Sequence, residues 1–170
     1  MFGLSRVFLC FVLLISGLAG EAALAQQDRS AAVLSVVGVD GTERKITAEE
    51  WAKLPRNTIK ARDHSGAEAS FEGVAARDVL RLAGAPFGQE LRGPRLALYV
   101  VAEAIDGYKV VYAVPEFDDG FTDGLILVAD RKDGEALGAK EGPLRIVVPW
   151  EKRQGRWIRQ LTVLRIRQAP

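Results

Sequence analysis

A basic stretch with aromatic ends lies near the end of the chain, between Trp150 and Trp157. It contains Lys152, Arg153 and Arg156, and Arg159 continues it two residues beyond Trp157. Ammonium and guanidinium groups at this density are typical of a site that holds a phosphate-like anion, and Gly155 would allow the backbone to approach it closely. A solvated loop ahead of the last strand explains the same composition. The sequence leaves both interpretations open.

Arg145 stands inside an apolar strand pattern, residues 144–148, directly after Gly142 and Pro143. Taking a guanidinium out of water costs free energy unless it meets a carboxylate or another anion. The sequence therefore predicts that Arg145 has such a partner.

His64 is the only histidine, and it lies in a polar turn at residues 63–66. Turn chemistry explains it, and so does a position in a pocket if the turn faces a cleft. Because the common nitrogen and sulfur sites for transition metals need several His or Cys ligands, a single histidine does not predict a metal site of this kind.

Tyr108 follows the pair Asp106-Gly107 between two apolar strand patterns. Asp-Gly is a favoured pair for a type I′ hairpin turn, which is one interpretation of this segment. In the other interpretation Tyr108 lies at the mouth of a pocket.

The first 25 residues have the order of a cleavable secretory signal. Arg6 supplies the positive charge, residues 7–18 form the apolar run, and residues 23–25 (Ala-Leu-Ala) form the cleavage site before Gln26. The apolar run is too short to cross a bilayer, which needs roughly 20 residues. The sequence therefore predicts a periplasmic or secreted protein with no membrane span after cleavage.

Cys10, the only cysteine, lies within the predicted signal. The mature chain, residues 26–170, would then contain no disulfide, thiolate metal ligand or cysteine nucleophile. The net charge is +1, which does not indicate a nucleic-acid or charged-membrane partner. No repeat or linker interrupts residues 26–170, so we expect a single domain.

Strand and turn patterns dominate the mature chain. Thr47 and Glu50 have the spacing of a capping box that begins a helix, and Pro55 ends it. Predicted helices cover residues 47–54 and 76–83, and predicted strands cover residues 33–39, 58–62, 69–72, 96–102, 108–114, 125–129, 144–148 and 158–166. Hairpins outnumber strand–helix–strand units. This predicts an α+β fold with a mixed sheet or a partly closed barrel.

Three stretches resemble the molybdopterin-binding domain of the sulfite oxidase family, in its small periplasmic form related to the catalytic subunit of the periplasmic methionine-sulfoxide reductase. They are residues 71–80 with an aromatic-x-Gly motif, residues 106–108, and residues 142–158. The resemblance extends over roughly residues 33–167. It implies the sulfite-oxidase-type fold and a pocket for the pyrophosphate of a molybdopterin-type cofactor.

The resemblance also implies which side chains surround that cofactor. Most are basic, and they come from four segments of the chain: the candidates are Arg145, Lys152, Arg153, Arg156, Tyr108 and His64. Among them, Lys152, Arg153 and Arg156 would contact the pyrophosphate, whereas Arg145 would support the pocket wall.

Catalytic members of the family ligate molybdenum through a cysteine on the strand before the aromatic-x-Gly motif. Counting back from Gly73, that position is Ala61, and alanine cannot ligate a metal. We therefore expect an exported protein that binds a pterin-type or other small anionic ligand without molybdenum–cysteine catalysis. Two alternatives remain open: a periplasmic oxidoreductase with non-cysteine metal coordination, and a non-catalytic domain that binds a periplasmic partner.

Overall fold

The computed structural model describes residues 31–170, so the predicted signal and Cys10 lie outside the described residues. The regular structure of this part of the chain is mainly β-strand, with two short α-helices. The elements are β1 (Ala32–Val37), β2 (Glu43–Thr47), α1 (Ala48–Lys53), β3 (Arg56–Arg62), β4 (Glu68–Ala75), α2 (Ala76–Arg81), β5 (Leu98–Ala104), β6 (Lys109–Ala113), β7 (Leu127–Lys132), β8 (Glu135–Ala136), β9 (Arg145–Val147) and β10 (Leu161–Gln168). Single 3₁₀ turns lie between them, including Val114–Phe117 and Gln154–Arg156.

The first sheet has the strand order β2-β1-β10-β5-β6. β1 and β10 run parallel, while the other neighbours are antiparallel, so the sheet is mixed as predicted. One face is buried through alternate residues such as Val36, Val100 and Ile166, because side chains on a strand point alternately to the two faces. β6 forms one edge of this sheet.

The second sheet has the order β3-β4-β7-β8, and β9 also pairs with β7. All of these pairs are antiparallel. Gly73 lies where β4 meets β7, and a Cβ there would overlap the backbone of Val128 and Ala129. The glycine of the aromatic-x-Gly motif therefore permits this close approach of two strands. The fold is α+β with two separate sheets, and the described residues do not form a closed barrel.

The two α-helices form where the sequence predicts them. Thr47 caps α1: its side chain accepts a hydrogen bond from the Glu50 backbone N–H, and Glu50 returns one to the Thr47 N–H. α2 covers Ala76–Arg81 and buries Val79 and Leu80. No helix within residues 31–170 is long and apolar enough to cross a membrane.

Several strand boundaries differ from the prediction. β2 was not predicted, because its first three residues, Glu43 to Lys45, are charged and exposed at a sheet edge. The strand predicted at residues 125–129 covers Leu127–Lys132 instead. The strand predicted from residue 158 begins at Leu161, because the chain first makes the 3₁₀ turn at Gln154–Arg156 and contacts Leu144 and Ile146 through backbone hydrogen bonds.

The hairpin before Tyr108 is also not the type I′ turn that Asp106-Gly107 suggests. Only Gly107 has a positive φ, 85°, whereas a type I′ turn needs positive φ at both central residues. The Asp106 carboxylate instead accepts a hydrogen bond from the Tyr108 N–H at 2.9 Å. This contact fixes the start of β6.

Candidate functional site

The first cleft opens between the end of edge strand β3 and the loop of residues 149–154. Arg62 and Glu68 on β4 form a non-hydrogen-bonded pair of the antiparallel ladder. The backbone N–H and C=O of Arg62 therefore point away from β4. The Arg62 carbonyl therefore faces the loop, where it accepts a hydrogen bond from the Gln154 side-chain amide. The cleft between strand and loop has a volume of about 680 Å³, which is within the usual range for small-molecule sites.

Four positions that the sequence singles out line this first cleft: Ala61, His64, Lys152 and Arg153. Ala61 is buried on β3, and His64 is exposed in the turn that follows. Lys152 and Arg153 are exposed, and within residues 31–170 neither side chain has an ion pair or a hydrogen bond. Both cations are thus free to contact an anion in the cleft.

Asp63 also lines the first cleft, but its charge is already paired. It accepts a hydrogen bond from Lys132 at 2.7 Å and another from the Ser65 hydroxyl. The contact with Lys132, followed by those with Ser65, holds the pKa of Asp63 well below its ordinary value. This carboxylate therefore does little to neutralise Lys152 and Arg153.

A second, smaller cleft of about 380 Å³ lies on the other side of the same loop. It is lined by Tyr108, Lys140, Trp157 and Arg159, and Gln154 lines both clefts. The Tyr108 hydroxyl donates a hydrogen bond to the Gly155 carbonyl at 2.8 Å. Tyr108 and His64 therefore belong to different clefts that meet at Gln154.

Arg156 is engaged by carboxylates. Its guanidinium donates to Glu116 at 3.0 Å and to Glu151 at 2.6 Å, and it lies over the Tyr112 ring at 4.7 Å. Partial burial opposes its charge, but these two carboxylates outweigh burial and raise the pKa of Arg156. The arrangement anchors the loop to β6; contact between Arg156 and a pyrophosphate stays a prediction.

Arg145 is 3% exposed and meets the carboxylate that the sequence requires. It donates to Glu141 at 2.8 Å, and its guanidinium carbon lies 5.4 Å from the Phe71 ring and 5.7 Å from the Trp157 ring. Burial lowers the pKa of Arg145, and Glu141 offsets part of that effect. Arg145 lines neither of the two clefts described above; it lies behind the loop and supports it, and its role toward a cofactor stays a prediction.

Several residues of the clefts were not among the sequence candidates, including Lys140, Glu151 and Gln154. Gln154 carries no pattern that separates it from ordinary loop residues, whereas Arg159 belongs to the basic pattern after Trp150. Glu151 did offer a signal, because it is the one acidic residue in the basic stretch at 151–156.

Residues 23–169 match the family model described as the oxidoreductase molybdopterin binding domain. The chain belongs to this family. Among solved structures, the sulfane dehydrogenase SoxCD from Paracoccus pantotrophus is similar, with a TM-score of 0.62 and 19% identity over 83% of this chain. At that identity the likeness shows the fold. The chain covers 39% of the length of that protein. A comparison with curated proteins finds no match.

Family membership makes a molybdopterin-type cofactor the expected ligand class of this domain. The unpaired cations that line the two clefts are suited to contact the phosphate group of such a cofactor. The metal fits less well: the resemblance places Ala61 where catalytic members have the thiolate ligand, and residues 31–170 contain no group of three or more His, Cys, Asp or Glu side chains that could hold a metal ion. The donor set therefore suits a phosphate-bearing pterin and does not suit a molybdenum–thiolate centre.

Proposed function

We propose that this domain binds a pterin-type or other small anionic ligand along the two clefts, without a molybdenum–cysteine bond. One observation carries the proposal. Four cationic side chains line the clefts and have neither an ion pair nor a hydrogen bond within residues 31–170: Lys140, Lys152, Arg153 and Arg159.

Most cations elsewhere in residues 31–170 have a carboxylate partner. Arg56, Arg77, Arg145 and Arg156 each meet a carboxylate. Charge-assisted hydrogen bonds to a carboxylate or phosphate are among the stronger polar contacts in proteins. A cleft that collects unpaired cations therefore favours an anionic ligand. Without a thiolate at position 61, we assign no redox step to the site.

The oxidoreductase alternative needs a set of metal donors other than cysteine. His64 lines the first cleft with Asp63, Glu68 and Glu151, but Asp63, Glu68 and Glu151 are paired with Lys132, Lys60 and Arg156, respectively. A metal would have to displace these cations. Ligand binding without turnover is therefore the function that the arrangement favours.

We also propose that the protein acts outside the cytoplasm, as a periplasmic or secreted protein. The support is the predicted signal at residues 1–25. Cell fractionation tests the proposal: a mature form that begins at Gln26 should appear in the periplasm or the medium, and full-length protein confined to the cytoplasm would contradict it. In that compartment the domain could also contact a partner protein.

A thermal-shift experiment tests the binding site. Pterin-6-carboxylate should raise the melting temperature of the wild-type protein, because a ligand that binds only the folded state stabilises it. The double variant Lys152→Ala, Arg153→Ala should lose most of that rise. The matched control is Lys45→Ala, Arg167→Ala, which removes the same charge from two exposed residues outside both clefts. An equal rise in all three proteins would show that the first cleft is not the binding site.

A further inference from the structure

Glu151 combines a position in the first cleft with an incomplete set of hydrogen bonds. Its Oε1 accepts a hydrogen bond from Arg156 Nε at 2.6 Å and also contacts Arg156 Nη2. Its Oε2 is buried and has no hydrogen-bond donor among residues 31–170. One carboxylate oxygen is thus fully engaged, and the other is free.

A buried acceptor without a donor is unfavourable, and proteins nearly always satisfy such groups with protein, water or ligand. Arg156 cannot supply the missing donor, because its guanidinium is shared between Glu116 and the Oε1 of Glu151. A ligand that fills the cleft beside Glu151 is therefore favoured if it brings an N–H donor as well as a negative charge.

The adjacent residues supply the complementary contact. Lys152 and Arg153 directly follow Glu151, line the same cleft and are exposed. Neither side chain is held by an ion pair or a hydrogen bond within residues 31–170, so both can turn towards a ligand. The loop therefore offers an acceptor for a ring amino group and, next to it, two cations for an acidic substituent.

We infer that Glu151 determines which ligand this site accepts, by receiving a hydrogen bond on Oε2 from the amino group of a 2-amino-4-oxopteridine ring. The carboxylate or phosphate substituent of that ring contacts Lys152 and Arg153. This inference rests on the proposed function and narrows its ligand class, since a simple anion such as sulfate has no N–H donor to offer.

Two ring compounds that differ at one position provide the test. Pterin-6-carboxylate carries an amino group at ring position 2, whereas lumazine-6-carboxylate carries an oxygen there and has the same acidic substituent. Titration calorimetry should show that the wild-type protein binds the pterin about tenfold more tightly, the size expected for a hydrogen bond to a charged acceptor. Glu151→Gln should lose that preference, because an amide can donate to the lumazine oxygen.

The outcomes separate this inference from the proposed function. Equal binding of both compounds by the wild-type protein, or an undiminished preference in Glu151→Gln, would overturn the role of Glu151 and leave the anion site intact. Binding of neither compound would overturn this inference together with the pterin-type part of the proposed function. The double variant Lys152→Ala, Arg153→Ala should weaken the binding of both compounds by the same factor, so the ratio of their two affinities should stay unchanged. The wild-type comparison stands even if Glu151→Gln fails to fold, which circular dichroism would reveal.

Discussion

Arginine side chains have two different roles around the clefts. Arg145 and Arg156 are held by carboxylates and aromatic rings, so they stabilise the loop that they belong to. Arg153 and Arg159 are exposed and have no ion pair with any other residue of 31–170. The difference comes from surroundings, because all four belong to the same short stretch of sequence. A buried guanidinium needs a partner within the fold, whereas an exposed one is solvated by water and stays available to bind an anionic ligand.

The role of Arg145 predicts a loss of stability. Arg145→Met should lower the free energy of unfolding by about 3 kcal/mol, because it removes the cation of a buried ion pair and leaves the Glu141 carboxylate without a partner. Urea denaturation measures the change. Adding Glu141→Gln should recover part of the loss, since no unpaired charge then remains. A wild-type midpoint for the single variant would contradict this role.

The roles of individual residues were only partly predictable. The requirement that Arg145 meet a carboxylate follows from its apolar strand, and Glu141 fulfils it. The contact between Arg156 and Glu116 could not be predicted. Glu116 lies forty positions earlier and reaches Arg156 only through the packing of β6 against the loop. Which cations remain free is therefore a property of the tertiary structure.

At the scale of elements, side chains cover two sheet edges near the site. On β6, the Val111 carbonyl accepts a hydrogen bond from Arg156, and the Ala113 N–H donates to Glu116, so this edge is covered. On β3, the Gln154 amide covers Arg62, and the first cleft begins beside it. Covering an edge with side chains prevents pairing with other chains. The same loop thus protects two edges and forms both clefts.

The capping box of α1 gives a prediction at this scale. Thr47→Ala should cost about 1 kcal/mol of stability, because the Glu50 backbone N–H loses its acceptor at the start of the helix. Thr47→Ser is the matched control, since it keeps the hydroxyl. Chemical denaturation of the three proteins decides the question: equal midpoints for the alanine and serine variants would show that the cap contributes nothing.

Element boundaries followed from the sequence where a local signal was strong. Asp133 and Gly134 both have positive φ, 52° and 84°, and form the turn between β7 and β8, as an Asp-Gly pair favours. The same pair at 106–107 adopts another turn, because hydrogen bonds between Ala104 and its neighbours in the hairpin set a longer loop. Local composition therefore predicts that a turn exists, while strand pairing decides its type.

At the scale of the whole molecule, Asp130 on β7 joins three elements. It accepts hydrogen bonds from Trp51 of α1 at 2.6 Å and from Arg56 of β3 at 2.7 and 2.5 Å. Burial by itself would raise the pKa of Asp130, but the contacts with Arg56 and Trp51 hold it below its ordinary value. The negative charge of this carboxylate thus contributes to the stability of the entire second sheet.

This contact predicts how stability depends on pH. A carboxyl with a lowered pKa in the folded state stabilises the fold above its unfolded pKa, about 3.9 for aspartate, and that contribution is lost as the pH falls further. Asp130→Asn should be less stable than wild type at pH 7 and should lose less stability between pH 5 and pH 2. Urea unfolding across this range measures both. Asp123→Asn, at an exposed position, is the control and should follow the wild-type curve.

The fold of the whole molecule was more predictable than the site. Alternating apolar residues and turn pairs predict an α+β domain, and the resemblance that includes the motif around Gly73 implies the sulfite oxidase type. The family match confirms it. The separation of His64 and Tyr108 into two clefts was not predictable, because it depends on how the loop at 149–154 packs between β3 and β6.

The central claim is that this family member binds a pterin-type or other small anionic ligand without a molybdenum–cysteine centre. The most direct measurement is the molybdenum and pterin content of protein purified from a host that makes the cofactor, by metal analysis and by fluorescence of the released pterin. We predict bound pterin with molybdenum far below an equimolar amount. An equimolar amount of molybdenum would contradict the account, because it would show that a metal centre forms with alanine at position 61.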